Sequence, residues 1–179
     1  AIDALEIKSR TTDALFVLDS SQIAALTAAQ AAALTVTQVA ALTTEQVESL
    51  ETTDLAAMSA AQIVALGATK AAVLTTDQIV ALTTLQVASL TTAQVQALNS
   101  DQIAAFQTAD LRAMTTGQFA AMTSEQITSL TATQVAALET ADLRVLNTEG
   151  IAALANDRIR ALHAAPAPGL QNAQIEALG

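Results

Sequence analysis

The chain has no cysteine, no tryptophan and no tyrosine, and Phe16, Phe106 and Phe119 are its whole aromatic set. Without cysteine there can be neither disulfides nor thiolate metal sites, although this identifies no compartment. Basic residues are scarce as well: 7 Lys and Arg stand against 17 Asp and Glu, for a net charge of −10. Phosphate binding depends on clustered Lys and Arg, so nucleic acid is a poor partner, and an anionic membrane surface is disfavoured for the same reason. Glycine and proline are few, at 5 and 2 residues, and no Asn-Gly or Asp-Gly pair offers a tight hairpin turn. No basic leader with an apolar core opens the chain, which reads as a processed or excised piece of something longer.

What the sequence does have is aliphatic: 52% of its residues are hydrophobic, mostly Ala, Leu, Val and Ile. Residues 78–100 carry no charge and are long enough to span a bilayer, but Gln78, Gln86, Gln94 and two Thr pairs interrupt them. A spanning helix needs about 20 predominantly apolar residues, so no membrane insertion is expected. An Ala-rich aliphatic composition suits closely approaching backbones better than a broad globular interior.

These residues are ordered by a phrase. From Leu74 the chain reads LTTDQIVALTTLQVASLTTAQVQAL, nearly the same eight residues three times over. With Thr75 as position 1 and Leu82 as position 8, the frame runs from Asp3 to Leu178 without insertion or deletion, making 22 octads in one domain. Position 8 is Leu, Met or Phe in 21 of them, and position 5 is aliphatic, Phe or Ala in all 22. Position 7 is always small or Val, and position 4 is Gln in 13 octads. A continuous α-helix cannot carry this period, because its apolar stripe would rotate by about 80° per octad. Coiled coils need periods near 3.5 residues or an eleven-residue variant. Each octad therefore holds its own short element and its own break.

Thr-x-x-Gln at positions 1 to 4 is the pattern of a capping box, in which a Thr hydroxyl and a Gln side chain satisfy each other's backbone N–H groups. Position 1 is Ser, Thr, Asp, Asn or Gly in 15 of the 21 octads after the first, all acceptable N-caps. Acidic residues at position 3, such as Asp77, Asp101, Glu125 and Glu149, suit a helix N-terminus. Positions 5 and 8 share one face of a helical turn. The repeat unit is thus cap Thr75, return bond from Gln78 (as a cap or a buried rung), anchors Ile79 and Leu82, and small contact Ala81. One octad buries too little to stand alone, so the expected fold is an all-α solenoid of short helices with an 8-residue repeat. The rival is a β-solenoid, favoured by Thr and Val but opposed by the 5-to-8 spacing of the large residues. Acidic residues spaced by 32 (Asp13, Glu45, Asp77) and by 24 (Asp101, Glu125, Glu149) suggest three or four octads per coil.

Some octads depart from the phrase. Glu51 with Asp54, Gln107 with Asp110 and Glu139 with Asp142 lengthen position 1 and shorten position 4 together. They read as swapped caps rather than acidic ligands. Lys70 replaces Gln at position 4 and reads as solvated or locally paired. Arg112, Arg144, Arg158 and Arg160 form a candidate interaction face, with a solvated face as the simpler reading. Pro166 and Pro168 make residues 163–170 an irregular, non-helical octad that keeps the register. His163, the lone imidazole, is read as an exposed residue there.

No Ser/His/Asp set, metal cluster, phosphate loop or nucleophile motif is present, so no catalytic residue, cofactor or metal is assigned and an enzyme is not expected. The strings LTTEQVESL, LTTDQIVAL, LTTAQVQAL and LTATQVAAL resemble the Thr/Gln-rich short repeats of very large bacterial surface or secreted proteins, some labelled adhesin-like or haem-utilisation-like. The resemblance covers nearly the whole chain and is compositional. It implies an extracellular stalk or spacer with flanking repeats or domains in a longer chain, and it transfers no binding residue. A haem role finds only His163 as an imidazole. The alternatives are a module that binds a protein or peptide on positions 2, 3 and 6, and an ice-binding array of Thr pairs such as Thr75–Thr76.

Overall fold

The computed structural model describes residues 17–152, together with Ser9, Thr11, Thr12 and Leu15. Residues 163–170 with their prolines, His163, Arg158 and Arg160 lie outside the described residues. Within them the fold is an all-α solenoid, with one helix of five or six residues in each octad and no strand.

The reason for a period of eight is visible in octad 75–82. Thr75 is extended (φ −69°, ψ 160°), the helix runs Thr76–Ala81, and Leu82 is extended again (φ −60°, ψ 139°). Six helical residues and two extended ones make the octad, and the extended pair at the junction turns the chain. Gln78 N–H donates to Thr75 Oγ1 at 3.1 Å and Thr75 N–H donates to Gln78 Oε1 at 2.9 Å, closing the expected box. Of the seventeen helices among the described residues, twelve begin with this reciprocal pair between Gln and a Thr, Ser, Asn or Asp cap. Helices this short are not stable alone. Their order comes from caps and stacking.

The helices stack in three files, each helix on the one three octads away. The first file holds α1 (Ser20–Ala24), α4 (Thr44–Glu48), α7 (Gly67–Ala71), α10 (Thr92–Ala97), α13 (Thr116–Ala120) and α16 (Thr140–Val145). The second holds α2 (Ala28–Ala33), α5 (Thr52–Ala57), α8 (Thr76–Ala81), α11 (Ser100–Ala105), α14 (Ser124–Ser129) and α17 (Thr148–Ala152). The third holds α3 (Val36–Ala41), α6 (Ala60–Ala65), α9 (Thr84–Ser89), α12 (Thr108–Ala113) and α15 (Ala132–Ala136). The stacking step is therefore 24 residues. Positions 5 and 8 of all files meet in one continuous interior, where Ile79 is 0% and Leu82 3% exposed. Small residues such as Ala33, Ala65 and Ala105 pack at its margin and let the backbones approach.

No helix of the described residues is long and apolar enough to cross a membrane.

Candidate functional site

The recurring chemical feature of the solenoid is its row of buried glutamines. A helix end leaves its last carbonyls without intrahelical partners. Gln78 meets this need for another helix: its Nε2 donates to the carbonyls of Val47 at 3.0 Å, Glu48 at 3.2 Å and Leu50 at 2.8 Å. These belong to octad 43–50, four octads earlier, and Leu50 directly precedes the octad on which α8 is stacked. A single amide thus caps the N-terminus of its own helix with its oxygen and the C-terminus of a distant one with its nitrogen. The sequence suggested a cap or a rung; the structure gives both at once.

Eight further glutamines make the same reach: Gln46, Gln62, Gln86, Gln94, Gln102, Gln118, Gln126 and Gln134. Each spans 31 residues to a position 5 carbonyl, and all but Gln94 also span 28 residues to a position 8 carbonyl, as Gln126 does to Val95 at 2.7 Å and Leu98 at 2.6 Å. Glutamate could not replace glutamine here, because an ionised carboxylate only accepts.

The departures show what the rung requires. Lys70 Nζ donates to Ala40 O at 2.7 Å, 30 residues back. The partner lies 30 residues away, so the local pairing read for Lys70 is corrected: its ammonium, in an exposed bond, supplies the donor half of the missing amide. It cannot supply the acceptor half, and α7 has no capping box. Gly67, read from sequence as an N-cap, instead begins α7 with φ +69°, and Leu66 before it stays in the right-handed helical region. The turn there is made by glycine's freedom in left-handed backbone.

In octad 107–114 the duties are exchanged, as the sequence suggested. Gln107 N–H donates to Asp110 Oδ2 at 3.1 Å, while Gln107 Nε2 reaches Val80 O at 3.1 Å. Octad 147–154 makes the same exchange with smaller side chains. Asn147 Oδ1 accepts from Gly150 N–H at 2.7 Å and its Nδ2 donates to Met122 O at 3.1 Å. Gly150 is required by crowding, since a Cβ there would stand 2.6 Å from Ile127 Cδ1. In octad 139–146 only the cap half survives, with Glu139 N–H donating to Asp142 Oδ2 at 3.2 Å.

Octad 51–58 keeps neither half. Glu51 makes no side-chain cap bond, and Asp54 Oδ2 is buried without a hydrogen-bond partner. The swapped-cap reading of this pair is corrected accordingly. Burial pushes the Asp54 carboxyl above its usual range, and the neighbouring Glu51 charge adds to the shift. Asp110 and Asp142 are also raised, by burial first, with their backbone hydrogen bonds opposing it.

Arg112 and Arg144 are both exposed. Arg112 lies on α12, which packs on α9 and α15, whereas Arg144 lies on α16, which packs on α13. The two arginines therefore belong to different files of helices. Thr75, Gln78, Ile79, Ala81 and Leu82 come together as one cap, rung and anchor unit.

A model of the ALTTAQ repeat matches residues 47–84, 80–108, 103–140 and 135–172. No curated protein matches the chain. The phrase occurs here as ALTTEQ at 41–46 and ALTTLQ at 81–86. In the fold it spans the small contact, the anchor, the extended turn, the cap and the rung, so the repeat's signature is the junction between two octads. With four successive matches covering more than half of its length, the chain belongs to the ALTTAQ repeat family.

Proposed function

We propose that this chain is a non-catalytic spacer, a segment of stalk or scaffold within a larger bacterial surface or secreted protein. The observation that supports it is the use of the repeat's polar side chains: the glutamine that defines the phrase has both ends of its amide bonded inside the stack. A side chain so used is withdrawn from ligands, and the repetition of one junction lengthens the solenoid without creating a new surface. Partners are then the flanking repeats or domains of the same long chain.

Lengthening tests this reading. Inserting a further copy of residues 75–98 after Leu98 adds one helix to each file. Small-angle scattering should show an elongated particle whose maximum dimension grows by roughly 8–10 Å, the usual spacing of packed helices. A compact sphere that grows in all directions would overturn the spacer.

A second reading, a module that binds a protein or peptide, is favoured by Leu85 and Val80. These large apolar side chains, from successive octads, are 69% and 44% exposed. Leu85→Gln would abolish retention of a partner in that case and leave a spacer unchanged.

A further inference from the structure

Across most of the solenoid, position 4 or its position 1 neighbour presents an N–H donor to the carbonyls four octads earlier; octad 139–146 does not, but there the Asp142 carboxylate is held by the Glu139 N–H. Gln78, Lys70, Gln107 and Asn147 do so by four different routes. Octad 51–58 places carboxyl groups at both positions. By the same offsets of 31 and 28 residues, Asp54 corresponds to the carbonyls of Ile23 and Leu26. Asp54 is 1% exposed, and its Oδ2 is the one buried side-chain polar atom among the described residues without a partner.

Among the described residues, the helices packed on α5 offer no counter-charge. α2, packed on one side of α5, reads AAQAAA and carries no ionisable group. α8, packed on the other side, carries Asp77 alone, which is exposed. Asp19, Glu45, Glu48 and Glu51, on the octads before and including this one, are all exposed and all acidic. An ionised Asp54 would therefore stand beside carbonyl oxygens with neither donor nor cation, an arrangement burial penalises heavily.

We propose that octad 51–58 forms a proton-dependent seam in the solenoid, in which neutral Asp54 donates its Oδ2–H to the carbonyl rim of octad 19–26. The acid proton, taken from solvent, supplies what a glutamine Nε2 supplies elsewhere, and loss of that proton leaves oxygen facing oxygen. An aspartyl arm is one methylene shorter than a glutaminyl arm, so closing the bond draws the two octads together and opening it loosens the stack at this level. With the folded-state pKa raised, the burial penalty is absent below the unfolded value of about 3.9. It grows as pH rises through the folded value. The seam is thus tighter in acid, opposite to the acid lability of a paired carboxylate.

Carbon-detected magnetic resonance of the intact chain reads this directly. The Asp54 carboxyl should titrate above the ordinary aspartate range, and the carbonyl signals of Ile23 or Leu26 should move with the same midpoint. Asp54→Asn should unfold at higher temperature than the parent at pH 7, the gap closing below about pH 4. Titration of Asp54 in the ordinary range overturns the seam, as does a raised midpoint to which neither carbonyl responds. Should the variant fail to fold, the titration of the parent chain still decides.

Discussion

Octads 51–58 and 75–82 lie in one file, α8 directly on α5, and share the same apolar plan. Leu55 and Ile79 are both 0% exposed, and Met58 and Leu82 are 4% and 3% exposed. They differ in polar wiring. Gln78 closes its own cap and three carbonyls of another octad, whereas Asp54 has a buried oxygen with no partner. The difference separates two contributions that the repeat normally supplies together. Apolar anchors suffice to put an octad in its place, and the glutamine decides how firmly it is tied to the coil beneath.

If that separation holds, removing an anchor should cost the two octads alike. Ile79→Ala and Leu55→Ala should each destabilise by about 2–5 kcal/mol, the range for large-to-alanine changes in a packed interior. Chemical denaturation of the two variants measures it. A markedly smaller loss at Leu55 would mean that octad 51–58 is already slack in its apolar contacts and that the comparison with Gln78 is confounded.

Changing the rung should instead separate the octads. Gln78→Glu keeps the shape and the cap acceptor but turns a carboxylate toward Val47, Glu48 and Leu50. A buried polar group left unpaired costs about 1–3 kcal/mol, and a charged one more, so a loss of about 3 kcal/mol is expected at pH 7. The new carboxyl would have a raised folded-state pKa, so the loss should shrink as pH falls and the group becomes a donor acid. Asp54→Glu, where no donor is lost, should cost much less at the same pH. Equal losses at the two positions, by thermal melts at pH 7 and pH 4, would show that the rung contributes nothing beyond the anchors.

Half of this wiring was legible in the sequence, and the half that was not has a physical cause. Cap, helix and anchors lie within one octad, so Thr75, Gln78, Ile79 and Leu82 could be assigned from spacing alone. The donor end of Gln78 could not, because it meets backbone carbonyls, which any residue provides. The stacking step was hidden for another reason: in an unbroken repeat, steps of 24 and 32 residues bring the same phrase into register. Of the two acidic spacings, the 24-residue one follows a file. Ser100 Oγ donates to Glu125 Oε1 at 3.4 Å and Ser124 Oγ to Glu149 Oε2 at 3.1 Å, helix to stacked helix. The 32-residue spacing, between the described Glu45 and Asp77, joins different files; Asp13 lies outside the described residues. The three Asp octads looked alike in sequence, but only Gln107 has an amide to exchange for the missing donor, whereas Glu51 and Glu139 do not.

Octad 67–74 allows the finest separation, because there the junction and the rung have both changed. Gly67 has φ +69° and open space beside it, with nothing within 4 Å of an added Cβ. Gly67→Ala should therefore cost only the left-handed backbone penalty, about 1–2 kcal/mol, with no packing cost added. Gly67→Asn should cost less than Gly67→Ala, since asparagine tolerates that region. Gly67→Thr alone should behave like the alanine variant, because Lys70 offers no acceptor for a threonine N–H. Combined with Lys70→Gln, however, the octad regains the whole phrase. The introduced threonine can take the extended cap conformation, bond reciprocally with the introduced glutamine and release the left-handed turn. The double variant should then be more stable than the sum of the two single changes, a coupling that thermal denaturation of all four chains measures. Strict additivity would mean that positions 1 and 4 act independently, and that the glycine at this junction answers to something other than the lysine three residues on.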